Sequence, residues 1–115
     1  MFCQADYKEL DQIFEALANE HRRAIIFTLG LQPRSIGQLA EQEQLSFPAI
    51  YKHIQALESA GLIVRKKSGR TNFLALNKRT IGLLQHWLMQ CQAHWGNGQE
   101  TLENYVAGIE RAKNK

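Results

Sequence analysis

From Ile36 to Leu62 the chain has room for two helices and almost nothing between them. Ser35 followed by Gln38 has the pattern of a capping box and opens a short helix with Ile36, Leu39 and Ala40 apolar. "EQEQL" makes a short turn. Ser46 then suits the cap of a second helix whose first turn holds Phe47 and Pro48. A proline loses no useful N–H bond at that position. Leu45 and Ile50 flank the cap as a hydrophobic staple, and Gly61 ends the helix. Two helices joined this tightly make a helix-turn-helix.

The flanks fit that frame. Leu10, Ile13, Phe14 and Leu17 have helical spacing over residues 6–18. Asn19 is placed to cap the next helix, with Ala24, Ile25, Ile26 and Leu29 following. "GLQPRS" breaks the chain. After Gly61, two β-prone runs, Leu62–Arg65 and Phe73–Leu76, flank a basic turn, Lys66–Arg70, and read as a hairpin. A long helical pattern follows Asn77 through Ile81, Leu84, Trp87, Leu88, Cys91 and Trp95. "GNG" interrupts it, so a kink or short break is expected there before Leu102, Tyr105, Val106 and Ile109 resume. The expected fold is mainly α: a winged helix-turn-helix with a two-stranded β wing and long N- and C-terminal helices. Its 115 residues suit one domain, with a core at about 19–77 between helices at about 5–18 and 78–111.

Charge is distributed unevenly. The formal net charge is +3. Residues 34–79 carry eight Lys or Arg and three Glu, a local balance of +5. That is the pattern of a segment that meets a polyanion. The helix beginning at Ser46 separates its faces. Ala49, Ile50, Ile54 and Leu57 form one, together with His53, and Phe47, Tyr51, Lys52, Gln55 and Glu58 form the other. An α-helix fits the DNA major groove, and residues near its N-terminus reach base edges. Tyr51 is able to donate or accept a hydrogen bond, Phe47 to pack on a thymine methyl, and Lys52 to meet a phosphate or a guanine. The blander alternative packs Phe47 and Tyr51 against neighbouring helices. Arg65, Lys66, Lys67 and Arg70 on the hairpin have phosphate or the minor groove as natural partners. The expected DNA-binding set is therefore Ser46, Phe47, Pro48, Tyr51, Lys52, His53, Gln55, Arg65, Lys66, Lys67 and Arg70.

"IFEALANEHRRAIIFTL", "IGQLAEQEQLSFPAIYKHIQALESAGLIVRKKSGRTNFLAL" and the long helix after them resemble the ArsR-like winged-helix repressors, from about Ile13 to Trp95. The resemblance implies a homodimer joined through its first and last helices, dimerisation helices at about 5–18 and 78–111, with a DNA-binding core at about 19–77 bound to an imperfect palindrome in double-stranded DNA. It implies repression by blocking polymerase and release by an effector, whose nature the residues do not name. His53 is typical of the family as a structural or backbone-contacting residue. The apolar stripe of the last helix agrees with a dimer, being too long for so small a domain to cover. The expected interface residues are Leu10, Phe14, Leu84, Trp87, Leu88, Cys91 and Trp95. Two-fold symmetry would place the reading helices about 34 Å apart.

The family's usual metal boxes are missing. Ser35, Ile36, Gly37 and Gln38 stand where a Cys-Val-Cys-Asp run would be. In the last helix His86 has Leu84 two residues before it, and His94 follows after eight residues with Asn97 three beyond. The tail, through Trp95, Leu102 and Tyr105, is similar to the branch without those boxes, although Gly96–Gly98 departs from it. Neither a metal nor a cofactor is expected. Cys3 and Cys91 offer a thiol-redox response as an alternative regulation, and a protein-interaction module without DNA binding is the alternative function. No Ser/His/Asp or Cys/His constellation and no Gly-rich phosphate loop points to an enzyme. No apolar run approaches the ~18 residues of a membrane helix, and the first ten residues do not read as a signal peptide, so a cytoplasmic protein is expected.

Overall fold

The computed structural model describes residues 4–95 and 101–114, with side chains from residue 8 onward. In chain order the elements are α1 (Gln4–Leu17), α2 (Glu20–Leu31), β1 (Arg34–Ser35), α3 (Ile36–Glu43), α4 (Phe47–Ser59), β2 (Ile63–Ser68), β3 (Thr71–Leu76), α5 (Lys78–Trp95) and α6 (Leu102–Lys113). They divide between Gln85 and His86 into two compact units. The architecture is a mainly α winged helix-turn-helix.

Local chemistry sets the helix boundaries. The Asn19 side chain accepts from the backbone N–H groups of His21 (2.9 Å) and Arg22 (3.3 Å), satisfying donors that α2 leaves open. Ser35 and Gln38 close the expected capping box on α3, at 3.2 and 2.9 Å. α3 stops at Gln44, which takes a left-handed conformation at φ 55°. There the Leu45 N–H donates to the Ala40 carbonyl at 3.0 Å and the Gln44 N–H to Glu41 at 3.2 Å. Ser46 caps α4 two residues later through the Ala49 N–H, so the turn of the helix-turn-helix is Gln44–Ser46. α4 ends at Gly61, φ 74°, which closes a Schellman motif through Leu62 N to Leu57 O at 3.0 Å and Gly61 N to Glu58 O at 2.9 Å. The Gly61 carbonyl then accepts from Asn77 Nδ2 (2.9 Å) and Thr80 Oγ1 (2.6 Å), tying the end of α4 to the start of α5. This also satisfies Thr80, the buried polar residue of the first unit.

One core holds the first unit together. Ile13, Ile25, Leu39, Ile50, Ile54, Leu57, Leu62 and Leu74 are fully buried, bringing α1 to α4 and β3 into a single cluster. Each buried side chain of this size stabilises the fold by about 1.5–3 kcal/mol. Leu45 and Ile50, on either side of the Ser46 cap, both belong to this packing.

The sheet differs from the expected hairpin in two ways. It has three antiparallel strands in the order β1-β3-β2, because Arg34 and Ser35 pair with Leu74 and Phe73. The wing strands are also longer than expected. β2 runs to Ser68, which pairs with Thr71, so the turn is Gly69–Arg70 and not Lys66–Arg70. Gly69 has φ 63° and occupies the first central position, where a two-residue type II′ turn needs a glycine. That turn's twist matches the strands and lets the ladder continue through both lysines.

In the second unit, α6 is capped by Thr101, whose hydroxyl accepts from the Asn104 N–H at 3.1 Å. Gly96–Gly98, where a break was expected, lie outside the described residues. Among the described residues, no helix is long and apolar enough to cross a membrane.

Candidate nucleic-acid interface

α4 is sealed on one side and open on the other. Ile50, Ile54 and Leu57 are completely buried, while Ser46, Phe47, Pro48, Tyr51, Lys52 and Gln55 are exposed. Phe47 is 57% exposed and Tyr51 37%, so each ring keeps surface open to a partner. Their centroids are 6.4 Å apart with the planes tilted by 38°. Pairing across one helical turn gathers both rings at the N-terminal end of α4, the end that reaches base edges in helix-turn-helix proteins.

His53 departs from the other expected contacts. It is half-buried, and its Nδ1 accepts from Arg22 Nε at 3.2 Å. Burial, followed by the Arg22 charge and then His21, pushes its imidazole below the ordinary value, against a smaller opposing effect of Glu43. His53 therefore holds α4 against α2.

The wing's cations are also not equivalent. Arg65 forms a two-point ion pair with Glu58 of α4, Nη2 to Oε1 at 2.5 Å and Nε to Oε2 at 3.2 Å. This interaction is the main reason its guanidinium is held even more firmly in the charged form. Arg65 thus clamps the wing onto α4, and its fork is occupied in the free protein. Lys66, Lys67 and Arg70 are exposed. Successive strand residues point to opposite faces, so Lys67 shares the face of Arg65 while Lys66 lies opposite, paired across the ladder with Phe73. Arg70 stands at the turn beside Gly69, where nothing lies within 4 Å of the position a Cβ would take.

The expected interface residues differ in exposure. Leu10 is only 5% exposed in the single chain and has little surface to offer a partner. Its neighbour Phe14 is exposed. Leu84 packs partly against the core of the first unit. In the second unit Trp87 and Cys91 are half-buried, while Leu88 and Trp95 are exposed. Cys3, the proposed thiol partner of Cys91, lies outside the described residues. Among the described residues, no group of three or more His, Cys, Asp or Glu side chains is arranged to hold a metal ion.

Two contacts were not foreseen from the sequence. His21 Nδ1 lies 2.8 Å from Glu43 Oε1, and the Arg22–His53 pair joins residues 31 apart. No local pattern signals either. Arg65–Glu58, seven residues apart across the end of α4, was open to anticipation from opposite charges flanking a Gly61 stop.

Comparison with known proteins agrees with this geometry. Residues 17–66 match a family model described as a helix-turn-helix domain. The HTH-type transcriptional regulator Rv2034 of Mycobacterium tuberculosis is 30% identical over 79 residues, covering 69% of this chain and 74% of that one. The transcriptional activator HlyU of Vibrio cholerae is 30% identical over 84 residues, covering 71% and 78%. A crystal structure of an ArsR family transcriptional regulator superposes with a TM-score of 0.71 at 34% identity, covering 76% of this chain and 91% of that one. The open face of α4, the basic wing and these relatives converge: the chain belongs to the ArsR-like family of HTH-type transcriptional regulators and is a DNA-binding transcriptional regulator.

Proposed function

We propose that the chain is a homodimeric repressor that reads an imperfect palindrome with α4 in the major groove and the wing on the flanking backbone. The observation that carries this reading is the exposed row Phe47, Tyr51, Lys52 and Gln55 beside exposed Lys66, Lys67 and Arg70. Phe47 and Tyr51 favour steps rich in thymine methyls, and Lys52 a phosphate or guanine. Phe14, Leu88 and Trp95, exposed in the single chain, are the apolar surface assigned to the second copy. In this division residues of about 19–77 read DNA and the helices at about 5–18 and 78–111 dimerise.

Selection of duplexes from a random pool, followed by footprinting, tests the reading. A two-fold site with half-sites about one helical turn apart is expected. Tyr51→Ala or Lys52→Ala should relax base preference by about 1–3 kcal/mol per lost contact. Placing the selected site across a promoter should lower reporter output; a rise would assign activation instead. The exposed aromatics also suit a protein partner, and failure to select any duplex would favour that second reading.

A further inference from the structure

Four ionisable side chains from three helices meet where α4 packs on α2 and α3. The His21 and His53 rings lie 5.5 Å apart between centroids. His21 Nδ1 is 2.8 Å from Glu43 Oε1, and Arg22 Nε donates to His53 Nδ1 at 3.2 Å. Arg22 Nη1 also lies 3.5 Å from the carbonyls of Glu15 and Ala16 in the last turn of α1. A single guanidinium therefore bridges the end of α1 to the middle of the reading helix.

The chemistry of this bridge is one-sided. Arginine only donates and stays charged, so the Nδ1 that accepts from it must carry no proton. Neutral His53 then holds its proton on Nε2. A second proton would remove the acceptor and set an imidazolium against the guanidinium. The groups facing His53 would not offset this. From α2 come Arg22 and His21, both basic. From α3 comes Glu43, already engaged by His21. From α1, Glu15 lines a cleft with Arg22 that His53 does not border.

We propose that the Arg22–His53 hydrogen bond is a proton-sensitive latch on the reading helix: α4 keeps its DNA-reading seat while His53 is neutral and loses it when His53 is protonated. Arg22 and His53 are in this sense positioning residues. The proposal rests on the DNA-binding reading above. Its sign is opposite to that of generic electrostatics, because an added positive charge by itself strengthens binding to a polyanion.

The test is the affinity of the full chain for a duplex selected from a random pool, measured between about pH 7.5 and about pH 5, a span extended downward because burial and the Arg22 charge hold His53 below the ordinary imidazole range. The loss of one such hydrogen bond predicts binding about three- to tenfold weaker at the acid end. His53→Asn, whose amide oxygen stands in for Nδ1 and does not titrate, should abolish the fall, and His21→Asn should keep it. Arg22→Ala should be weak already at neutral pH, with no further fall and an unchanged salt slope. If that variant fails to fold, His53→Asn carries the test alone. Affinity that holds or rises on acidification, or a fall that survives in His53→Asn, overturns the latch and leaves the DNA reading standing. If no duplex is selected, the two fall together.

Discussion

α4 and α6 have the same amphipathic design and opposite fates. On α4 the apolar residues Ile50, Ile54 and Leu57 are fully buried within one chain. On α6 Leu102, Tyr105, Val106 and Ile109 remain exposed, Leu102 by 77%. Helical periodicity alone does not distinguish these outcomes, because it states which residues share a face and not what covers it. For α4 the cover comes from α1, α2 and α3 of the same unit. In the second unit the same periodicity leaves its apolar residues exposed.

The largest expected effect follows from that contrast. Ile54→Ala should destabilise the protomer by about 2–5 kcal/mol, because it leaves a cavity in a packed core. Ile109→Ala on α6 should change protomer stability by less than about 0.5 kcal/mol. Chemical denaturation of the two variants side by side checks this, and equal losses would show that α6 is covered within its own chain.

Next in size is the effect on assembly. Replacing both Leu88 and Trp95 by Ser should weaken the proposed dimer by at least about 100-fold, since buried aromatic anchors dominate such interfaces. Sedimentation should then give the protomer mass at concentrations where the parent chain is dimeric. An unchanged mass would move the interface elsewhere.

A smaller change sharpens the account of the turn. Gln44 is the non-glycine residue that adopts positive φ among the described residues. Gln44→Gly removes that strain and should raise stability by about 0.5–1 kcal/mol, read as a higher denaturation midpoint with an unaltered slope. A loss of stability would mean that the Gln44 side chain contributes more than its backbone costs.

How much of this was legible beforehand depends on sequence distance. Asn19, Ser35–Gln38, Ser46 and Gly61 act on neighbours within a few residues, and each caps where its local pattern places it. The wing was legible as a hairpin, but its turn was placed too early. Lysine is a poor strand former, whereas the ladder and Gly69 extend the pairing through Lys66 and Lys67. β1 was invisible because a two-residue strand has no periodicity and its partners are Leu74 and Phe73, far along the chain. In the reading site, the exposed face of α4 followed from its inner face. The split among the basic residues did not. Arg65 is claimed by Glu58, His53 by Arg22, and Lys66 and Lys67 lie on opposite strand faces, all consequences of tertiary placement.

DNA binding by α4 and the wing together is checked by the salt dependence of affinity for a selected duplex. Lys66, Lys67 and Arg70 from both copies give about six phosphate contacts and a log–log slope of about −5. Replacing all three by Ala removes these contacts, so most of the slope should vanish and affinity should fall for all sequences alike. A wing variant with unchanged affinity and unchanged slope would mean that the wing does not touch DNA.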